Sequence, residues 1–410
     1  MIEMCQDPRA FDNPYLNNFR CIKKEKLIVD VKIHQNKLIN DVLKHGIKAS
    51  QNDSSVYTGL SGIALMFHKI GHTEQALKVL EKSKALAVSK KSRITFLCGS
   101  SGPLAISAKL NHSEDDLTEV LKSSQNLQDP NLPNELLYGR VGYLYSLMHV
   151  KDTFSGTAKA EIEDKMNLTV DLIIKEGIKG SKAWKSRSPL MYDWHDKAYY
   201  GAAHGLIGIL FILLQLERKF ISEEILNSLI LPNLDYLMGK MFPSGNVPSS
   251  MNSDTDKLIH WCHGAPGSIH LFLLAYAKTQ NPKYFEAAEK NAQVIWSRGL
   301  LKKGHGLCHG IAGNAYAFLA MYQATQNPDW LAKAHCFCRF ILDQKHPKMA
   351  DRPFSLFEGI SGTIWFLQDI LEDPMNAKFP ASIPYMTQHH QRYVGNLDCL
   401  MYAFLDMPMI

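Results

Sequence analysis

The stretch Cys308-His-Gly-Ile-Ala-Gly-Asn-Ala-Tyr-Ala-Phe-Leu-Ala-Met321 joins a Gly-x-x-Gly motif to an apolar run at helical period. The motif occurs seven times in the 410 residues, with steps between first glycines of 40, 40, 66, 59, 46 and 49 residues. Recurrence of this kind is typical of a repeat architecture with connections of variable length. The seven copies are Gly59-Leu-Ser-Gly62, Gly99-Ser-Ser-Gly102, Gly139-Arg-Val-Gly142, Gly205-Leu-Ile-Gly208, Gly264-Ala-Pro-Gly267, Gly310-Ile-Ala-Gly313 and Gly359-Ile-Ser-Gly362.

Each repeat is expected to contribute one buried helix that starts at the glycines and one returning helix that covers it. Glycines three residues apart share a helix face and let a neighbouring backbone come close. Runs after the motifs, such as Leu206 to Leu216, are apolar, whereas return segments such as Lys159 to Lys175 mix apolar and charged residues. We predict an all-α fold, an α/α toroid in which seven inner helices form a barrel inside seven outer helices. An open solenoid is the competing architecture, but the repeats are irregular and lack a polar capping unit.

The composition favours one large intracellular domain. The repeats run from about residue 57 to 370 without a linker, and the net charge of +5 is mild, with no basic run that would predict nucleic-acid binding. The longest apolar run is too short to cross a bilayer, and Met1-Ile-Glu-Met-Cys5 is not a signal peptide. We therefore predict a cytoplasmic protein with at most peripheral membrane contact, whose eight cysteines are reduced.

Chemically active residues are concentrated one and two positions before the first glycine of each motif. Three cysteines, three histidines and a carboxylate stand there, and the ring places equivalent positions around one mouth of the barrel. One position before the glycine the residues are Thr58, Cys98, Tyr138, His204, His263, His309 and Glu358, and two positions before it they include Cys262 and Cys308.

The duplicated Cys-His-Gly at residues 262–264 and 308–310 is the strongest indication of a metal site. Two thiolates with one or two imidazoles suit Zn²⁺, which favours tetrahedral sulfur and nitrogen ligation. The residues alone do not choose among the four candidates, because four ligands would make a structural zinc and three would leave an open, catalytic position. His204 and Glu358 nearby favour the open site, as does Asp193 in the upstream segment Tyr192-Asp-Trp-His-Asp196, which we predict as a second catalytic residue beside His204.

The chain resembles the animal lanthionine synthetase C-like proteins, relatives of the bacterial lantibiotic cyclases. The resemblance covers roughly residues 8 to 380, so we predict a barrel domain over residues 1–380 and a C-terminal extension of unknown role over residues 381–410. The matching segments include Ile94-Thr-Phe-Leu-Cys-Gly99, Leu137-Tyr-Gly-Arg-Val-Gly142, Gly201-Ala-Ala-His-Gly205, His260-Trp-Cys-His-Gly-Ala-Pro-Gly267, Lys302-Lys-Gly-His-Gly-Leu-Cys-His-Gly310 and Pro353-Phe-Ser-Leu-Phe-Glu-Gly359.

The resemblance implies one zinc per chain, held by Cys262, Cys308 and His309, with the fourth position open to a thiol. In the animal proteins that thiol is glutathione, which is added to dehydroalanine or dehydrobutyrine in proteins or peptides. Zinc removes the proton of a bound thiol, and the resemblance makes His204 the acid that protonates the resulting enolate.

The resemblance also implies basic anchors for the two carboxylates of glutathione. They include Lys303 and Arg9, and Lys348 stands where the family often has arginine. Arg140 and Glu358 complete the predicted substrate-binding set. His305 replaces a tyrosine common in the animal members.

Two other functions compete with a zinc-dependent glutathione transferase. One is a glutathione-binding adaptor with a structural zinc that binds signalling proteins. The other is a different α/α-barrel enzyme, a zinc prenyltransferase subunit or a glycosidase. Two cysteines at matched repeat positions fit a prenyltransferase poorly, and a glycosidase needs paired carboxylates where only Glu358 has the right position.

Overall fold

A computed structural model of the chain describes residues 7–89, 93–344 and 347–380, and its architecture is helical. These described residues form no β-strands, only isolated β-bridges. The all-α prediction is therefore confirmed. The predicted C-terminal extension, residues 381–410, lies outside the described residues.

Seven helices, which we call the inner helices, each begin within one of the Gly-x-x-Gly motifs. Each contacts the next along the chain, and the seventh contacts the first. This closes the ring and confirms the barrel over the open solenoid. In chain order the inner helices are Leu60–Lys69, Ser101–Asn111, Arg140–Val150, Leu206–Gln215, Ala265–Thr279, Ile311–Thr325 and Ile360–Leu371.

The inner helices alternate along the chain with seven longer or more polar helices of the described residues, the outer helices. The first of these, which the sequence analysis did not identify, packs on the seventh inner helix and so covers the closing point of the ring. It continues through a π-helical segment, Val42–Gly46, and a second π segment, Leu226–Ile230, precedes the fifth. The outer helices are Lys24–Asp41, Thr73–Ser89, Glu114–Lys122, Gly156–Ala183, Leu231–Met238, Pro282–Arg298 and Pro328–Asp343.

The second glycine of each motif is required by a close backbone contact. A Cβ atom at any of these seven positions would lie 1.8–2.3 Å from the carbonyl oxygen of the residue six positions earlier. The closest case is Gly313, where the distance to the oxygen of Leu307 is 1.8 Å. Because no side chain fits in that space, the turn before each inner helix folds directly onto the helix. This contact fixes the position of the residues that precede the glycines.

Those residues join neighbouring repeats around one end of the barrel. We call the residues two positions before the first glycine the mouth ring; they are Tyr57, Leu97, Leu137, Ala203, Cys262, Cys308 and Phe357. Five neighbouring pairs are joined by one backbone N–H···O=C bond each. The N···O distances are 3.4 Å for Ala203 to Cys262, 3.3 Å for Cys262 to Cys308, 2.7 Å for Cys308 to Phe357, 3.1 Å for Phe357 to Tyr57 and 2.9 Å for Tyr57 to Leu97.

The core fills the space within and between the two rings. The inner helices are buried almost all round, as the helix from Ile311 shows with twelve buried residues among fifteen. Near the end of the described chain, Phe379 packs on Trp261 and Tyr316, with ring centroids 5.1 and 5.5 Å away. Among the described residues, none of the helices has the length and apolar character needed to cross a membrane.

Candidate functional site

The mouth ring brings the duplicated cysteines together. The Sγ atoms of Cys262 and Cys308 and a ring nitrogen of His309 lie within 4.8 Å of one another. Both cysteines are buried and His309 is half-buried. The backbone bond from Cys262 to Cys308 fixes the spacing of the two repeats, so the two side chains leave adjacent points of one rigid ring. Three ligand atoms of this type and spacing form a candidate zinc site.

A tyrosine from the first repeat completes the buried surroundings of the sulfurs. The hydroxyl of Tyr57 donates a hydrogen bond to Sγ of Cys308 at 2.6 Å. The Tyr57 ring stacks on Phe357 with centroids 4.6 Å apart, which fixes its direction. Burial, together with the neighbouring Cys262, raises the pKa of the Cys308 thiol well above its usual value. A thiolate pair at this position therefore needs a cation.

The structure places the fourth candidate ligand, His263, outside the three-atom cluster. Its ring lies 6.3 Å from that of His204, between centroids, and its buried Nδ1 has no hydrogen-bond partner among the described residues. A Cβ at position 201 would lie 2.8 Å from that nitrogen, so Gly201 provides the space for the ring. Burial, with the neighbouring His204, lowers the pKa of His263 to about 4, so it is neutral near pH 7.

A buried carboxylate holds His204 at the mouth. Nδ1 of His204 lies 2.8 Å from Oε2 of Glu135, whose side chain is only 2% exposed. The same carboxylate accepts the backbone N–H groups of Leu137 at 2.9 Å and Tyr138 at 2.5 Å. Glu135 thus links Leu137 of the mouth ring to His204, the neighbour of Ala203. Within the described residues, no backbone hydrogen bond joins Leu137 directly to Ala203.

An aromatic stack covers one face of His204. The Trp194 ring lies parallel to the imidazole at an angle of 14°, with centroids 4.1 Å apart, and Tyr138 lies 5.4 Å from Trp194. Trp194 is presented by a two-residue turn in which its N–H and C=O pair with those of Lys197. The two central residues, 195 and 196, have φ of 49° and 54°, the left-handed values that such hairpin turns require.

The predicted basic anchors lie around the same mouth. The N-terminal segment pairs with residues 300–302 through the Ala10–Leu301 bridge, which brings Arg9 to this end. The charges of Lys303 and Arg9 contribute, after burial and the neighbouring His309, to lowering the pKa of His260 to about 3. The Arg9 guanidinium pairs with Asp7 at 2.9 Å.

Two further predicted substrate-binding residues border the turn that leads to Cys308. The backbone oxygen of Lys348 would lie 3.1 Å from a Cβ at Gly304, and the Lys348 side chain is exposed. The backbone oxygen of Glu358 would lie 2.3 Å from a Cβ at Gly306, and Glu358 is half-buried.

Two predicted site residues, Arg140 and Asp193, are placed differently from the basic anchors and from Glu358. Arg140 is 4% exposed, and its guanidinium donates to the backbone oxygens of Leu127, Leu132 and Asp129. Asp193 is exposed, and the carboxylate that contacts His204 is that of Glu135.

Glu135 is a site residue that was not predicted from the sequence. Four residues before the first glycine, other copies of the motif have Ser55, Thr95 and Ser355, whose hydroxyls accept the N–H three residues later. Glu135 does the same with one oxygen, which leaves the other for His204. The signal in the sequence is that Glu135 stands at the position where three other copies have a serine or threonine whose hydroxyl caps the turn.

The sequence matches the family described as lanthionine synthetase C-like protein over residues 50–383. One relative, a protein named glutathione S-transferase LANCL1 from Danio rerio, is 40% identical over 360 residues, which covers 83% of this chain and 87% of the relative. Among solved structures, one named nisin cyclase superposes with a TM-score of 0.61 at 18% identity, over 83% of this chain and 93% of that chain. At that identity the second likeness concerns the fold alone.

Proposed function

The chain belongs to the lanthionine synthetase C-like family, and we propose that it is a zinc-dependent transferase that adds glutathione to dehydroalanine or dehydrobutyrine residues in proteins. The observation that carries this proposal is the meeting of two elements at one mouth. One is the cluster of Cys262, Cys308 and His309, and the other is the carboxylate-held His204. The name of the 40% identical relative supports glutathione as the thiol.

The chemistry of the donor atoms fits zinc. Two sulfurs and one imidazole nitrogen are a zinc ligand set, and three protein ligands leave a fourth position for a substrate atom. Bound there, Zn²⁺ would supply a positive charge that deprotonates a coordinated thiol near neutral pH. The hydrogen bond from Tyr57 to Cys308 orients one ligand sulfur, as outer partners of metal ligands commonly do.

The reaction is an addition across a carbon–carbon double bond. The sulfur of glutathione bonds to the β-carbon, and the π electrons move to the α-carbon and its carbonyl as an enolate. A proton delivered to the α-carbon completes the thioether, while the thiol proton has gone to solvent. No group leaves the polypeptide, so the chain needs to supply only an aligned thiolate and one proton donor.

His204 is the proton donor in this proposal. Because Glu135 accepts from Nδ1, the Nε2 atom is left to carry the transferred proton. Trp194 packs flat on the ring and restricts its rotation.

The basic side chains at the mouth would bind the two carboxylates of glutathione. The effect of the Lys303 and Arg9 charges on His260 supports this assignment, and the backbone of Lys348 borders the turn that leads to Cys308. Glu358 suits the ammonium group of the γ-glutamyl residue of glutathione. Arg140 is left out of this set because backbone oxygens already occupy its guanidinium.

Mass spectrometry of a dehydroalanine-bearing peptide incubated with glutathione and the protein tests the proposal. We expect a product heavier by one glutathione with the zinc-loaded protein, and none with zinc-stripped protein or the Cys308→Ala variant. If the wild-type protein binds zinc and glutathione but forms no adduct, the transferase proposal fails and the adaptor function replaces it.

A further inference from the structure

A cleft of about 420 Å³ opens beside the candidate site, on the far side of the aromatic stack. We propose that this side cleft, lined by residues of the second and third repeats together with Trp194 and His195, binds the polypeptide chain that flanks the dehydroamino acid. The proposal rests on the function proposed above and deepens it. The volume lies within the range of ligand pockets in proteins. The lining includes Arg93, Lys122, Asn126, Asp129, Asn131 and Tyr138.

The side cleft shares two aromatic rings with the surroundings of His204. Tyr138 and Trp194 line the cleft, and their rings lie 5.8 and 4.1 Å from that of His204, between centroids. The dehydroamino acid that receives a proton from His204 belongs to a substrate polypeptide, which continues on both sides of it. The side cleft gives one of these two flanking segments a path along the aromatic stack and away from the mouth.

One wall of the side cleft is held in place by Arg140. Its guanidinium donates to the carbonyl oxygens of Leu127, Leu132 and Asp129 at 2.9, 2.6 and 2.9 Å, and to Oδ1 of Asn134 at 3.0 Å. These bonds gather residues 127–134 into one fixed loop. The cation is buried at the start of an inner helix, where the helix dipole and the loss of water both disfavour it. The hydrogen bonds that Arg140 donates to this loop explain why a cation is buried at this position.

The lining chemistry fits a polypeptide of varied sequence. Tyr138 and Trp194 offer flat apolar surface, and the amides of Asn126 and Asn131, both exposed, offer donors and acceptors for a main chain. Charges of both signs are present, since Arg93 and Lys122 stand with Asp129. The guanidinium of Arg93 is already stacked on Tyr138 at 4.3 Å. A mixed lining of this kind binds backbone without selecting one charge, and a wall that is already fixed lowers the cost of ordering the complex.

The test compares two substrates on two variants. The substrates are N-acetyl-dehydroalanine amide and a peptide with four residues on each side of the dehydroalanine. In Asn131→Trp a large ring fills the cleft from a position that touches neither the metal cluster nor His204. In Asn227→Trp the same change is made at an exposed position near the start of the fifth outer helix, outside the cleft.

We expect Asn131→Trp to raise KM for the long peptide by about tenfold or more and to leave the amide substrate unchanged, while Asn227→Trp changes neither. Equal kinetics of Asn131→Trp and wild type on the long peptide would overturn the cleft assignment, and so would an equal loss on both substrates. Turnover of the amide by the wild-type protein tests the proposed function separately.

A binding measurement makes the inference independent of turnover. The same long peptide with alanine in place of dehydroalanine carries a fluorophore, and its anisotropy is followed on titration with the full-length protein. The expected result is a Kd about tenfold higher for Asn131→Trp than for wild type and Asn227→Trp. Identical Kd values for the three proteins would refute the cleft assignment even if the enzyme is active.

Discussion

The two sides of the mouth ring are joined by different chemistry. From Ala203 through Cys262, Cys308, Phe357 and Tyr57 to Leu97, every joint is a backbone hydrogen bond. From Leu97 through Leu137 to Ala203, side chains connect the mouth-ring residues themselves, and the nearest backbone bond runs from the Phe96 N–H to the Gly142 oxygen at 3.1 Å. The Thr95 hydroxyl donates to the Leu137 oxygen at 2.6 Å, and the Glu135 carboxylate connects Leu137 to His204.

The difference explains why each side carries its own part of the proposed reaction. A backbone joint does not depend on the side chain, so its residues are free to serve as metal ligands, the role proposed for Cys262 and Cys308. A side-chain joint can carry a charge, and the carboxylate of Glu135 therefore both closes the ring and holds a histidine.

The largest expected effect comes from breaking the contact that both sides share. In Gly313→Ala the new Cβ would lie 1.8 Å from the Leu307 oxygen, so the turn before the helix must move. We expect a loss of about 3 kcal/mol or more in the free energy of unfolding, measured by denaturant titration. Gly239→Ala is the matched control, because its Cβ would meet backbone oxygens only at 3.4 and 3.6 Å. That variant should stay within about 0.5 kcal/mol of wild type.

On the backbone-joined side, Cys262→Ala removes a ligand but leaves the backbone bonds in place. We expect the zinc content of the purified protein to fall from one per chain to near zero, and adduct formation to fall to background. Elemental analysis and peptide mass spectrometry check this. Cys336→Ala, a buried cysteine on an outer helix, is the control and should keep full zinc. Full zinc in Cys262→Ala would remove this residue from the ligand set.

On the side-chain-joined side, Glu135→Gln keeps the shape but loses the charge that faces His204. We expect kcat to fall roughly 10- to 100-fold with zinc content unchanged, in the range seen when partners of site histidines are altered. Steady-state kinetics measure the loss. Ser55→Ala breaks a similar turn hydrogen bond in the first repeat, to the N–H of Thr58, and should lower stability without lowering kcat. Equal kcat losses in both variants would mean that Glu135 acts only on the turn.

The smallest expected effect concerns the stack. Trp194→Leu removes the ring that lies 4.1 Å from the imidazole of His204. A stacked aromatic favours a cation by about 0.5–1 kcal/mol at exposed sites, which corresponds to a decrease in kcat of roughly 2- to 5-fold. Trp330→Leu on an outer helix is the control, and its kcat should equal that of wild type. An unchanged kcat in Trp194→Leu would show that the stack only shapes the cleft.

The glycine spacing predicted the inner ring well. A backbone contact that leaves no room for a Cβ atom requires glycine, and the glycines are visible in the sequence. It predicted the apolar run from Leu206, and the helix there ends at Gln215. The first outer helix, Lys24–Asp41, has no such mark, since it precedes the first motif and covers the ring by packing alone. The duplicated Cys-His-Gly predicted that these residues would meet, whereas the choice of His309 over His263 came from the resemblance to the family and not from the spacing.

The partner of His204 was harder to predict because it is 69 residues away and enters through a turn-capping position. Asp193, predicted as a second catalytic residue, is closer to His204 in sequence, yet its side chain is exposed. Arg140 is a similar case, because the resemblance of a sequence segment to a family predicts where a residue lies in the fold but not which groups its side chain contacts. Its hydrogen bonds go to backbone oxygens of the loop that forms one wall of the side cleft.

The most direct test of the account is to measure zinc content and glutathione adduct formation in the same sample of His204→Asn. The account predicts one zinc per chain, unchanged binding of glutathione, and a decrease of about 10²- to 10⁴-fold in the rate of adduct formation on a dehydroalanine peptide. That result would separate thiol activation on one side of the mouth from proton donation on the other. Adduct formation at the wild-type rate would contradict the account, because it would remove His204 and Glu135 from the reaction.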